Sequence, residues 1–238
     1  MRLDKLLAHT GYGTRKDVRD LLKKNRVQVD GKQVKKGNIH IDTENQHVTV
    51  DDEVVYYEQY IYLMLHKPQD YVSATVDDRD KTVIDLVPAK YKHYHLAPVG
   101  RLDKDTEGLV LLTNDGMFNH IVTSPKNNID KTYYAKITGE VLDKHIAEFN
   151  QGVILDDGYE TKPADLKIIS SGEQSEITLS ISEGKFHQVK RMFRAIGMEV
   201  TYLKRLRIGN IILDDQLKIG DIRKLNENEM EYVASLIE

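Results

Sequence analysis

Between Gly100 and Gly116 the chain reads GRLDKDTEGLVLLTNDG, and Arg101, Asp103, Lys104, Asp105, Thr106 and Glu107 crowd a glycine-flanked loop before an apolar run resumes at Leu109. Carboxylates interleaved with cations suit chemistry when a loop is held between two buried strands. An ionised carboxylate can act as nucleophile or base, and a neighbouring cation keeps it charged where burial would protonate it. By composition alone the same loop also reads as a solvated hairpin. From Lys185 to Arg207 there are seven Lys or Arg and one acid, Glu199. Such a run suits phosphate contacts. His93 and His95 stand one residue apart without further partners at ligand spacing, so a surface or core role is expected rather than a metal site. No glycines form a phosphate-cradling GxGxxG or Walker loop. The chain has no cysteine, which excludes disulfides, thiolate nucleophiles and cysteine-ligated zinc.

The elements that must hold these residues fall into two groups. Leu3, Leu6 and Leu7 have helical spacing, which stops at Gly11-Tyr12-Gly13. Thr14 with Asp17 makes a capping-box-like start for a second helix whose buried stripe is Val18, Leu21 and Leu22. Val27, Val29, the pair Asp30-Gly31 and Val34 predict a short hairpin. An acidic and aromatic stretch, DDEVVYYEQY at residues 51 to 60, precedes a new strand-like run at Tyr62 to Leu65. We place a domain boundary there, giving domains 1–60 and 61–238. In the second, HLAPV, LVLLT, KTYYAKI and ITLSI predict strands, and two or three helices are expected, near residues 143 to 150 and 187 to 196 among them. Strands joined mostly by short turns favour an α+β fold with a mainly antiparallel or mixed central sheet.

The charge is segregated. The chain of 238 residues carries a formal net charge of -4, yet residues 1 to 40 hold eleven Lys or Arg against four Asp or Glu. A basic block on an acidic body suggests a polyanion-binding module. The N-terminus lacks the apolar stretch of a secretory signal, no run reaches membrane-spanning length, and the missing cysteine fits a reducing compartment. A cytoplasmic protein is the expectation.

The string RLDKLLAHTGYGTRKDVRDLLKKNRVQVDGKQVKKG resembles the S4 RNA-binding domain. That resemblance implies Arg15, Lys16, Arg19, Lys23 and Arg26 as phosphate contacts. GRLDKDTEGL resembles the signature of the RsuA/RluA-type pseudouridine synthases, whose catalytic aspartate corresponds here to Asp103. KTYYA looks like that family's KxY motif, which gives Tyr133 the ring that packs against the target base. EGKFHQVKRMFRAIG resembles its third motif and places Lys190 as the basic partner of the aspartate, with Arg101 or Arg191 as alternatives. Arg101, Lys185, His187, Gln188 and Arg191 are then expected to contact RNA around the site. TSP at 123–125, TKPA at 161–164 and HQVKRMF at 187–193 look like the branch that modifies small-subunit ribosomal RNA. One departure is KPQD, with Asp70 where family members usually carry glycine, which leaves the local turn open.

The resemblance implies a cofactor-independent and metal-independent RNA pseudouridine synthase acting as a monomer on 16S-type RNA or a small-subunit assembly intermediate. Two rivals stand beside it. One is a synthase for large-subunit RNA, and the other is a non-catalytic RNA-binding assembly factor. A tRNA-synthetase reading, which an S4-like module also permits, lacks a HIGH-type signature.

Overall fold

In the computed structural model, which describes residues 1–237, Asp30 and Gly31 both take positive φ, 49° and 75°. This is the backbone a tight hairpin turn needs. It joins β1 (Val27–Val29) to β2 (Lys32–Gln33), with Val29 opposite Lys32. Two helices precede the hairpin, α1 (Leu3–His9) and α2 (Arg15–Lys23). The capping box at Thr14 is formed. Its hydroxyl accepts from the Asp17 amide at 3.4 Å, and Asp17 accepts from the Thr14 amide at 2.8 Å. Strands β3 (Val48–Val50) and β4 (Glu53–Val54) complete an antiparallel sheet ordered β2-β1-β3-β4. Leu3, Leu6, Leu7, Val18, Leu22, Val27 and Val48 form its core, so the amphipathic stripes read from the sequence face inward.

The chain separates into two compact units. The first is Met1–Ile61 together with Pro88–His95, and the second is Tyr62–Val87 with Leu96–Glu238. The short helical turn Ala89–Tyr94 thus belongs with the first unit, although it follows 26 residues of the second. Gly11, at φ +92°, accommodates it, since a Cβ there would lie 3.1 Å from the His93 ring. His93 itself packs against the Tyr94 ring at 4.2 Å, in line with a structural role.

The second unit is built on a nine-stranded mixed sheet. Its strands are β5 (Tyr62–Lys67), β6 (Ala97–Pro98), β7 (Glu107–Thr113), β8 (Lys131–Thr138), β9 (Asp165–Ser170), β10 (Gln174–Ile181), β11 (Glu199–Ile208), β12 (Ile211–Ile212) and β13 (Ile222–Lys224). The main path runs β13-β5-β7-β11-β8-β10-β9, while β6 pairs with β7 and β12 with β11. The pairing of β7 with β11 is parallel and the other described pairings are antiparallel. Four α-helices accompany the sheet, where two or three were expected: α3 (Gly116–Thr123), α4 (Asp143–Gln151), α5 (Gln188–Ala195) and α6 (Glu227–Ile237). Strands β5 and β7 are buried almost throughout, which is why they read as unbroken apolar runs; β8 and β10 alternate.

Two details of this sheet position the polar loop. Asp115 caps α3, accepting from the Met117 and Phe118 amides, and also accepts from the Tyr62 hydroxyl at 2.7 Å. At the parallel junction Gly108 lies opposite Arg205 with φ +111°, and a Cβ there would sit 2.2 Å from the Arg205 carbonyl oxygen. Only glycine lets the strand leaving the loop come this close to β11.

Candidate active site

The loop from Gly100 to Thr106 is fixed by contacts to its backbone. Lys67, the last residue of β5, is completely buried. Its Nζ donates to the carbonyls of Thr106 at 2.8 Å, Pro68 at 3.0 Å, Asp103 at 3.1 Å and Lys104 at 3.3 Å. Burial lowers its pKa from 10.5 to about 8, while the charges of Asp105, Asp103 and Glu107 act in the opposite direction. Ser73 adds a second clamp, with its hydroxyl donating to the Leu102 carbonyl at 3.1 Å and accepting from the Leu102 amide at 3.0 Å. The Asp70 amide donates to the Lys104 carbonyl at 2.9 Å. Asp70 has φ +66°, so the turn expected to favour glycine is made by an aspartate in the left-handed region, which that side chain tolerates better than most.

With the loop held this way, the half-buried Asp103 lines a cavity of about 520 Å³ whose walls include Tyr133, Lys131, Arg205, Arg101, Lys185 and His187. Lys190 Nζ lies 3.5 Å from Asp103 Oδ2 and 2.6 Å from Asp105 Oδ1. The expected pair is brought together, but the shorter contact is with Asp105. There burial opposes ionisation, yet the hydrogen bond and charge of Lys190 prevail and hold the carboxyl below its usual range. His187 Nε2 approaches Asp103 Oδ1, also at 3.5 Å.

Tyr133 stands between Leu179 on β10 and Arg205 on β11 in the sheet register. Side chains directly opposite share a face, so Tyr133 and Arg205 both reach the cavity. Tyr134 turns the other way and donates to Glu176 at 2.7 Å. Lys131, two residues before Tyr133, is on the cavity face as strand periodicity requires. Burial, helped by the charge of Arg205, lowers its pKa to about 8. Arg205 is buried; its Nε donates to the Leu109 carbonyl at 2.8 Å, and its Nη2 has no hydrogen-bond partner among the described residues. Lys131 and Arg205 place positive charge on the cavity wall. Neither was singled out from the sequence, although β alternation from Tyr133 would have found Lys131.

Other expected RNA contacts are distributed unevenly. Arg101 and His187 line the cavity, and Arg101 is exposed. Lys185 lines it too, with its ammonium 4.2 Å over the Tyr159 ring. Gln188 is buried, donates to Glu183 at 2.7 Å and accepts from the Lys185 amide at 2.8 Å, so it shapes the turn before α5, and it lines a small side cavity with Asp103 and Tyr133. Glu183 ties that turn further by accepting from Tyr159 and from the Lys162 amide, which explains the TKPA segment. The Arg191 guanidinium is engaged by Asp156 and Asp157, so it is not the alternative partner of Asp103.

In the first unit Arg15, Lys16, Arg19 and Lys23 are exposed, as expected of phosphate contacts, while Arg26 is held by Asp51. Arg15 and Arg19 line a shallow concavity with Arg2, Lys35 and Lys36, three cations whose convergence the sequence did not show. Among the described residues no group of three His, Cys, Asp or Glu side chains could hold a metal, and no helix is long and apolar enough to cross a membrane.

Comparison with known proteins gives consistent matches to both units. A model of the RNA pseudouridylate synthase family matches residues 61–195, and an S4 domain model matches residues 1–47. The chain is 47% identical over 235 residues to a Bacillus subtilis protein called uncharacterized RNA pseudouridine synthase YtzG, with 98% of each chain covered. It is 41% identical to the ribosomal small subunit pseudouridine synthase A of Vibrio parahaemolyticus, covering 98% of this chain and 99% of that one. A crystal structure of a pseudouridylate synthase superposes with a TM-score of 0.69 at 36% identity, covering 98% of this chain and 99% of the other.

Proposed function

The chain belongs to the RNA pseudouridylate synthase family, and from that premise we propose that it converts a defined uridine of small-subunit ribosomal RNA to pseudouridine with Asp103 as the acting carboxylate. The observation that carries this reading is the cavity in which Asp103 faces Tyr133 with Lys190 Nζ at 3.5 Å. In the reaction the bond from ribose C1′ to N1 of uracil breaks and one from C1′ to C5 forms. The C5 proton leaves and N1 gains a proton, so the product is an isomer. Asp103 can serve by attacking C1′, by adding to the ring or by taking a ribose proton. In each route the carboxylate is the acting form, and Lys190 Nζ stands 3.5 Å from it.

The base must leave the RNA stack to reach the carboxylate, at a cost of a few kcal/mol. Stacking on Tyr133 offsets about 1–3 kcal/mol of it. Lys131 and Arg205 favour electron density arriving on the uracil as the glycosidic bond opens, because cations in a water-poor cavity act over a low dielectric. In this reading residues 1–60 are the RNA-binding domain and 61–238 the catalytic one. Arg15, Lys16, Arg19 and Lys23 supply phosphate contacts in the first. The protein works in the cytoplasm, where its substrate is assembled.

The small-subunit assignment is supported by the name of the Vibrio relative and by the branch-like TSP, TKPA and HQVKRMF segments. The test is incubation with small-subunit and large-subunit transcripts followed by pseudouridine mapping. A new pseudouridine in the small-subunit transcript is expected. One confined to the large-subunit transcript makes the sister enzyme the correct reading, and none in either RNA or in assembling particles favours the assembly factor.

A further inference from the structure

Phe186, which lines the Asp103 cavity, is 75% exposed although it lies inside the turn that carries His187 toward Asp103. Its ring is stacked on His187, with centroids 3.7 Å apart and planes within 19°. His187 has φ +49°, the left-handed region, which is strained for a non-glycine residue and persists only where the surroundings impose it. That backbone is held from both sides. The Lys185 carbonyl accepts from the Gln188 amide at 3.1 Å, and the Phe186 carbonyl accepts from Arg191 Nη1 at 3.5 Å. A short pile of rings therefore starts 3.5 Å from Asp103 and ends in solvent with one open aromatic face.

The position of this face suggests its occupant. Phe186 and His187 line the Asp103 cavity, and both also line a shallow depression with Asp156, Asp157, Arg191 and Arg194. Phe186 is thus a ridge between the catalytic cavity and a polar groove in which Arg191 is paired with two carboxylates and Arg194 is exposed. Resting on the RNA reading above, we propose that Phe186 is a stacking platform for the nucleobase next to the target uridine. When the uridine is extruded its neighbour loses a stacking partner, and an aromatic face at the rim replaces it. Such stacking is tolerant of base identity because every base presents a π-face.

The test uses the full-length protein and a short single-stranded oligoribonucleotide with a central uridine flanked on each side by 2-aminopurine, whose fluorescence is quenched by stacking. Wild type and Phe186→Trp should quench it on binding. Phe186→Ala should leave it bright and bind about 5- to 150-fold more weakly, with an unchanged urea midpoint. Equal quenching by Phe186→Ala and wild type overturns the proposal, whatever the affinity. Turnover on ribosomal transcripts is measured separately, so an inactive protein that still quenches through Phe186 counts against the substrate assignment and not against the platform.

Discussion

Replacing Lys67 with Met keeps the length of a buried side chain and removes its ammonium, so it isolates what the four carbonyl contacts do. Leaving the four carbonyls without that donor costs about 4–12 kcal/mol, at about 1–3 kcal/mol each. Against this, the variant no longer buries a charge, and the fall in pKa from 10.5 to about 8 corresponds to about 3 kcal/mol of relief. The terms nearly cancel at the low end, so the net loss of stability is about 1–9 kcal/mol, smallest where the freed carbonyls find other donors. The effect on rate has no such compensation. Three of the four carbonyls belong to Asp103, Lys104 and Thr106, and a displacement of the carboxylate by about 1 Å costs on the order of 100-fold in turnover. Urea unfolding and single-turnover pseudouridine formation on the same preparation, with RNA affinity as a control, separate the two. Lys67→Met should lose about 100-fold in rate with affinity little changed. A rate within threefold of wild type would refute the argument that this lysine positions the loop.

Lys190→Met should lower the single-turnover rate about 10- to 100-fold without lowering the unfolding free energy by more than about 1 kcal/mol, and Lys190→Arg should recover part of the rate. Lys131 makes a pH-dependent contribution. Its folded pKa of about 8 lies below its unfolded 10.5, so below pH 8 both states are protonated and the cost of burying the charge is carried in full. Between pH 8 and 10.5 the folded state has released the proton and stability rises. Urea unfolding from pH 7.5 to 9.5 should therefore show wild type gaining about 1–2 kcal/mol relative to Lys131→Met, allowing for partial exposure. The double variant Arg15→Gln, Arg19→Gln should reduce the slope of log affinity against log salt by about 1.5 while leaving the unfolding midpoint unchanged.

Much of this architecture was visible in the residue pattern where local chemistry decides the outcome. The Thr14–Asp17 cap, the Asp30-Gly31 turn and the buried run of β7 depend on neighbours in sequence, and each is found as read. The same holds for the alternation that sends Tyr133 and Tyr134 to opposite faces. What stayed hidden depends on partners far along the chain. Lys67 looked like an ordinary strand-end lysine because its acceptors are backbone carbonyls 36 to 39 residues away, apart from Pro68. Gln188 and Arg191 sit in a motif rich in RNA-facing types, yet Glu183 in one case and Asp156 with Asp157 in the other claim their polar ends. Arg205 was one cation in a basic run until the register placed it beside Tyr133. The return of Pro88–His95 to the first unit left no periodic mark on the sequence.

The central claim is that the Asp103 carboxylate itself drives the rearrangement, and Asp103→Asn tests it with almost no change of shape. Pseudouridine formation by this variant and by wild type should be followed under single turnover on the transcript that wild type modifies. A fall of at least about 10⁴-fold is expected, with RNA affinity within about threefold and the urea midpoint unmoved. A variant that forms pseudouridine within about tenfold of the wild-type rate contradicts the claim.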